Sequence, residues 1–151
     1  MKKKMNIVIV GLGNIGSYFY NYLKINKNLL FNKTNTLPNI IFLSARSLNK
    51  KRNFNIPKKL WIKNCLSATK IKRVDIIVEL IGGAEGVAKK LVFEALKNKK
   101  HVITANKALV AKYGDQLAKI AEKNKVNFEF EAAVCGGMPI IRSIKEGLIA
   151  N

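Results

Sequence analysis

Three observations predict an α/β fold whose parallel sheet is doubly wound, with helices on both faces. Short apolar runs alternate along the chain with helical patterns. The first run ends directly in a glycine-rich turn that opens a helical pattern. No internal repeat and no long linker rich in Pro, Gly or Ser interrupts the alternation, and 151 residues fit one domain.

The elements follow in order. Ile7 to Val10 is a continuous apolar run ending at Gly11, as a buried parallel strand would be. The helix after it is expected to place Ile15, Phe19, Tyr22 and Leu23 on one inward stripe. Ile40 to Leu43 reads as a second strand, and residues 46–73 as a basic loop with short elements. Val74 to Ile81 is a third strand that runs into Gly82 and Gly83. A helix with Val87, Leu91, Ala95 and Leu96 inside comes next, then a fourth strand, His101 to Thr104. Leu117, Ile120 and Ala121 mark another helix, and Phe128 and Phe130 alternate with polar residues in a fifth strand. Pro139 opens a last helix carrying Ile140, Ile141, Ile144 and Leu148.

Between the first strand and the first helix lies Gly11-Leu12-Gly13-Asn14-Ile15-Gly16, a G-x-G-x-x-G fingerprint. In a Rossmann-type fold each glycine has a job: Gly11 permits the tight turn, Gly13 removes a Cβ from the path of a pyrophosphate, and Gly16 allows close helix packing. Asn14 and Ile15 complete the turn, where the helix N-terminus offers unpaired N–H groups to phosphate. The candidate site therefore lies at the carboxyl ends of the strands and takes a dinucleotide.

Composition narrows the setting. Hydrophobic residues make up 48% of the chain, enough for a core, yet no apolar run approaches a membrane span or a signal peptide. A cytoplasmic protein with reduced thiols is expected, since Cys65 and Cys135 share no metal-ligand spacing. The formal net charge of +19 raises a nucleic-acid partner. The basic residues are scattered, however, and heavy use of Lys, Asn and Ile reads as compositional drift, so no nucleic-acid partner is expected.

The distribution of charge says more than its sum. Residues 1–74 contain no Asp or Glu; all nine acids fall from Asp75 to Glu146. An NAD site usually has a carboxylate at the end of the second strand to hold the ribose 2′-OH. Here that strand ends in Ser44-Ala45-Arg46-Ser47. Arg46, with Ser47, Lys50 and Lys51 nearby, suits a 2′-phosphate, so NADP is favoured, with NAD also able to bind.

Three later segments carry a family resemblance. Val74 to Gly83 resembles the third-strand motif of homoserine dehydrogenases, and His101 to Leu109 resembles their T-A-N-K segment. Glu131 to Ile141 is similar to their E-A-x-V-x-G-G-x-P-I-I segment, and all three occur in the family's order. The resemblance covers the whole chain with the fingerprint. It implies NAD(P)H-dependent reduction of L-aspartate 4-semialdehyde to L-homoserine, on the route to threonine, methionine and isoleucine. It also implies a small-molecule substrate and a homodimer at full length. Residues 1–131 would form the NAD(P)-binding Rossmann domain and 132–151 the start of a catalytic domain.

The resemblance assigns roles as well. Lys107, after the fourth strand, belongs to the cofactor and reaction site, beside Gly82, Gly83, Thr104 and Asn106. Glu131, with backbone carbonyls of Val134, Gly136 and Met138, would hold a sodium-like monovalent ion. The residues alone support only a strand-end acid at Glu131. Cys135 lacks a partner base and reads as a small buried thiol, and His101 as structural. The catalytic acid is expected beyond Asn151, which would leave the chain able to bind cofactor but not to turn over. The alternative is a stand-alone dinucleotide-binding module without catalysis.

Overall fold

The computed structural model describes residues 3–52 and 54–130. A five-stranded parallel sheet in the order β2-β1-β3-β4-β5 forms its centre. The strands are β1 (Lys3–Val10), β2 (Thr36–Ser44), β3 (Ile76–Glu79), β4 (His101–Thr104) and β5 (Phe128–Glu129). The helices are α1 (Asn14–Ile25), α2 (Lys27–Thr34), α3 (Val87–Lys97) and α4 (Lys107–Asn124).

Side chains alternate across the pleat and build a core on each face. Ile7, Ile9, Ile76 and Val78 pack with Phe19 and Leu23 of α1 and Leu30 of α2. Val8, Val10, Ile77 and Val102 pack with Leu91, Val92 and Leu96 of α3 and Leu109 and Leu117 of α4. Strands buried on both faces explain the unbroken apolar runs.

Two expected core positions are corrected. Ile15 is 54% exposed and Val87 is 51% exposed. Each stands in the first turn of its helix, α1 or α3, where the axis has only begun to run along the sheet. Phe19, Tyr20 and Leu23 bury α1 instead. The helix α2 and the first half of β2 were not expected. Thr34 and Thr36 make the connection, since the Thr34 hydroxyl donates to the Leu30 carbonyl and accepts from the Thr36 amide. Pro38, opposite Met5, is tolerated because β2 lies at the edge of the sheet.

Beyond β2 the sheet is nearly finished. Trp61 makes one parallel bridge to Leu43, and the Ile62 amide donates to the Leu43 carbonyl at 3.0 Å. Two short 3-10 helices, Lys58–Leu60 and Cys65–Lys70, fill the rest of that connection. The chain thus places one residue where doubly wound dinucleotide folds have a further edge strand. Among the described residues, no helix is long and apolar enough to cross a membrane.

The predicted helix after Pro139 lies outside the described residues, as does Cys135. Cys65 is buried, and burial pushes its thiol pKa up, as a structural cysteine requires.

Candidate functional site

Strand order reverses at β1: the chain crosses to β2 on one side and returns to β3 on the other. The two following loops therefore part above the sheet and leave a crevice at the strand tips. The Gly11 amide donates to the Ser44 carbonyl at 2.9 Å and the Leu80 amide to the Val10 carbonyl at 2.7 Å, so the tips of β2, β1 and β3 are tied side by side.

The three fingerprint glycines differ sharply in their surroundings. Gly11 has φ +100°, and a Cβ there would lie 2.4 Å from the Leu80 carbonyl oxygen. A Cβ on Gly16 would lie 1.8 Å from the Gly11 carbonyl oxygen, so α1 packs directly on the turn it follows. A Cβ on Gly13 would meet nothing within 4 Å. The first two glycines are needed to build the turn, and the third leaves open space in front of it. Gly13 also caps α1 without a side-chain hydrogen bond, and no acid sits in the first turn. The leading amides of α1, at Asn14 and Ile15, thus face outward with the positive end of the helix dipole. A diphosphate fits this cradle.

The tip of β2 carries buried Ser44 and exposed Arg46, Ser47 and Lys50. Arg52 organises this loop, although sequence reasoning did not single it out. Its guanidinium donates to the carbonyls of Ser47 (2.8 Å), Lys50 (2.8 Å) and Leu48 (3.2 Å), and its Nε to Leu12 in the glycine turn (3.4 Å). A run of basic residues gave no signal that one of them folds back on the backbone.

On the other side of the crevice, Gly82 and Gly83 adopt φ +85° and +83°, a region other residues rarely enter. Both are exposed. Glu79, at the end of β3, is completely buried and accepts from the Thr104 hydroxyl (2.5 Å), the Ile81 amide (2.7 Å) and the Gly82 amide (3.2 Å). Thr104, also fully buried, accepts from the Asn106 amide at 3.0 Å. Asn106 caps α4 by accepting from the Leu109 amide, and its Nδ2 donates to the Gly83 carbonyl at 2.7 Å. Lys107 follows as the first, exposed residue of α4. The sequence signal for Glu79 was an acid inside an apolar strand that runs on through Leu80 and Ile81 into two glycines.

The outer part of the same loop is pinned by Glu85. Its carboxylate accepts from Lys112 at 2.7 Å, from the Tyr113 hydroxyl and from Lys89 at 3.3 Å. Lys112 and then Tyr113 hold its pKa down to about 2, and Lys89 adds to this. Lys89 also stands 4.1 Å from the Tyr113 ring centre.

The chain matches the family model described as "Homoserine dehydrogenase, NAD binding domain" over residues 11–131. It belongs to the homoserine dehydrogenase family. Within that family, homoserine dehydrogenase from Neisseria gonorrhoeae is 39% identical over 149 residues, covering 99% of this chain and 34% of the relative. Homoserine dehydrogenase from Bacillus subtilis is 36% identical over the same length and shares. The crystal structure of a homoserine dehydrogenase from Thiobacillus denitrificans superimposes with TM-score 0.83 at 37% identity, covering 99% of this chain and 34% of that one. The chain therefore spans about a third of the length of the homoserine dehydrogenases it matches. The matched region is the oxidoreductase family's NAD-binding domain, so a nicotinamide dinucleotide is the cofactor class of this fold.

The structure brings Gly11, Gly13, Asn14, Ile15 and Gly16 together at the tip of β1, Arg46 at the tip of β2, and Gly82, Gly83, Thr104, Asn106 and Lys107 at the tips of β3 and β4. Glu131, Val134, Gly136 and Met138 lie outside the described residues. Among the described residues, no group of three or more His, Cys, Asp or Glu side chains is placed to hold a metal.

Proposed function

We propose that this chain is the cofactor-binding part of a homoserine dehydrogenase that reduces L-aspartate 4-semialdehyde to L-homoserine, with NADP(H) preferred over NAD(H). The observation that carries the reading is the bare cradle at Gly13, where a side chain would find only open space. The preference for NADP rests on the acid-free tip of β2, where Arg46 is exposed.

The open space at Gly13 and the leading amides of Asn14 and Ile15 would hold the pyrophosphate, on a turn that Gly11 and Gly16 make possible. Arg46 would pair with the 2′-phosphate. The loop of Gly82 and Gly83 would border the nicotinamide, and Lys107 would offer a mobile positive charge to cofactor or substrate oxygens. Thr104 is buried and acts through Glu79 and Asn106. When bound, the reduced nicotinamide supplies the hydride for the aldehyde carbon. The protein residues orient the ring and keep its phosphates in place.

The family resemblance supports the finer assignments. Residues 1–131 are the NAD(P)-binding domain and 132–151 lead into the catalytic domain. The group that protonates the nascent alkoxide comes from the part of the relatives this chain does not span, so turnover needs that part. By the same resemblance, Glu131 with the carbonyls of Val134, Gly136 and Met138 would hold a sodium-like ion. The full-length enzyme is a cytoplasmic homodimer serving threonine, methionine and isoleucine biosynthesis. Titrating the chain with NADPH and NADH, followed by nicotinamide fluorescence, tests the central point. Saturable binding with NADPH the tighter ligand is expected, and affinity for neither overturns the reading.

A further inference from the structure

Glu79 is an acid in a place where the strand needs none. The rest of β3 reads Ile76-Ile77-Val78 and is buried with it. A buried carboxylate is costly unless hydrogen bonds satisfy it. All three bonds to the Glu79 side chain come from the strand tips, namely Thr104 on β4 and the amides of Ile81 and Gly82 in the following loop. The loop so held has positive φ at both Gly82 and Gly83, a conformation open to much backbone freedom without such ties. Asn106 secures its far end through the Gly83 carbonyl, and the Asn106 amide returns to Thr104. Glu79, Gly82, Gly83, Asn106 and Thr104 thus close a ring of hydrogen bonds.

We propose that Glu79 is a positioning residue for the nicotinamide half of the cofactor, acting through the backbone of Ile81 and Gly82 without touching the ligand. The inference rests on the dinucleotide reading above. The side of the site follows from topology. β2 lies on one side of β1 and takes the adenosine end, the glycine turn takes the diphosphate, and the loop after β3 faces the other end.

Two ligands separate this role from general support of the fold: NADPH and 2′-phospho-ADP-ribose, which keeps every group except nicotinamide. The Glu79→Val chain is expected to lose about tenfold or more in NADPH affinity, the scale of backbone amides left without their acceptor. Its affinity for 2′-phospho-ADP-ribose stays unchanged. Glu79→Gln, which keeps an acceptor for both loop amides, restores most of the NADPH affinity. Asn106→Ser provides an independent variant if Glu79→Val does not fold. A serine still caps α4 but is too short to reach the Gly83 carbonyl, so the same selective loss is expected. Equal weakening of both ligands, or undiminished NADPH binding by a folded variant, overturns the proposal. If the unsubstituted chain binds 2′-phospho-ADP-ribose and NADPH, the cofactor reading stands whatever the variants do; if it binds neither, both readings fall.

Discussion

The hydroxyl of Thr104 donates to the carboxylate of Glu79 across 2.5 Å, joining the tips of two neighbouring strands beneath the site. Both residues are fully buried, and the same hydroxyl accepts the Asn106 amide. Thr104→Val keeps the shape and removes the oxygen, stranding a buried acceptor and a buried donor. A loss of about 1–3 kcal/mol is expected. Thr104→Ser, which keeps the hydroxyl, should cost less. Urea unfolding of the two variants checks this, and an unshifted midpoint for Thr104→Val would show that the pair contributes nothing.

Gly13 and Gly16 separate binding from folding. Gly13 has φ −76°, and a methyl there meets nothing, so Gly13→Ala should fold with its melting temperature little changed. Its NADPH affinity should fall by more than about tenfold, because the methyl occupies the diphosphate's approach. In Gly16→Ala the methyl would fall 1.8 Å from the Gly11 carbonyl oxygen. Loss of at least about 3 kcal/mol of stability is expected, in the range of severe substitutions. Thermal melts and titrations of both variants must show this crossed pattern.

Arg46 and Arg52 should give different signatures although both are arginines of one loop. Arg46 is exposed at the tip of β2, so Arg46→Ala should narrow the preference for NADPH over NADH by about tenfold or more, the scale of a charge-assisted phosphate contact. Arg52 spends its donors on the carbonyls of Ser47, Leu48, Lys50 and Leu12. Arg52→Ala should weaken both cofactors together by loosening the loop from the glycine turn. Parallel dissociation constants for the two cofactors decide it, and an unchanged ratio in Arg46→Ala removes Arg46 from the site.

His101 is the chain's one histidine, and burial pushes its pKa below the ordinary 6.5. Its Nδ1 accepts the Asn127 amide at 3.0 Å, a bond that needs the neutral ring. The folded state therefore holds its proton less tightly than the unfolded chain does. The stabilisation is complete above the unfolded value and is lost as pH falls through the lower folded one. A single imidazole C2 proton should titrate with a midpoint below 6.5 in NMR spectra. A midpoint at or above that value would contradict the buried, accepting ring.

The sequence was most readable where periodicity and geometry are local. Ile7 to Val10, and Val102 with Ile103, are apolar because their strands are covered on both faces. The fingerprint was readable because only glycine fits at Gly11 and Gly16. Less visible was α2, which buries only Leu30 and Thr34 and so leaves a weak stripe. The start of β2 was hidden by Pro38 and Asn39, which interrupt the apolar pattern that resumes at Ile40. At the site, the lining glycines and Lys107 were accessible from motif and position. The ties made by Glu79 and Arg52 were not, because they run to backbone atoms brought close only by the fold.

The single bridge at Trp61 leaves the only indole of the chain docked beside Leu43, one residue before the carbonyl that anchors Gly11. Its near-ultraviolet emission overlaps the absorption of a reduced nicotinamide. Light absorbed by this ring should pass to a bound NADPH and re-emerge at longer wavelength. In the proposed complex the protein would carry its own optical gauge of occupancy, and cofactor uptake could be timed without attaching a dye.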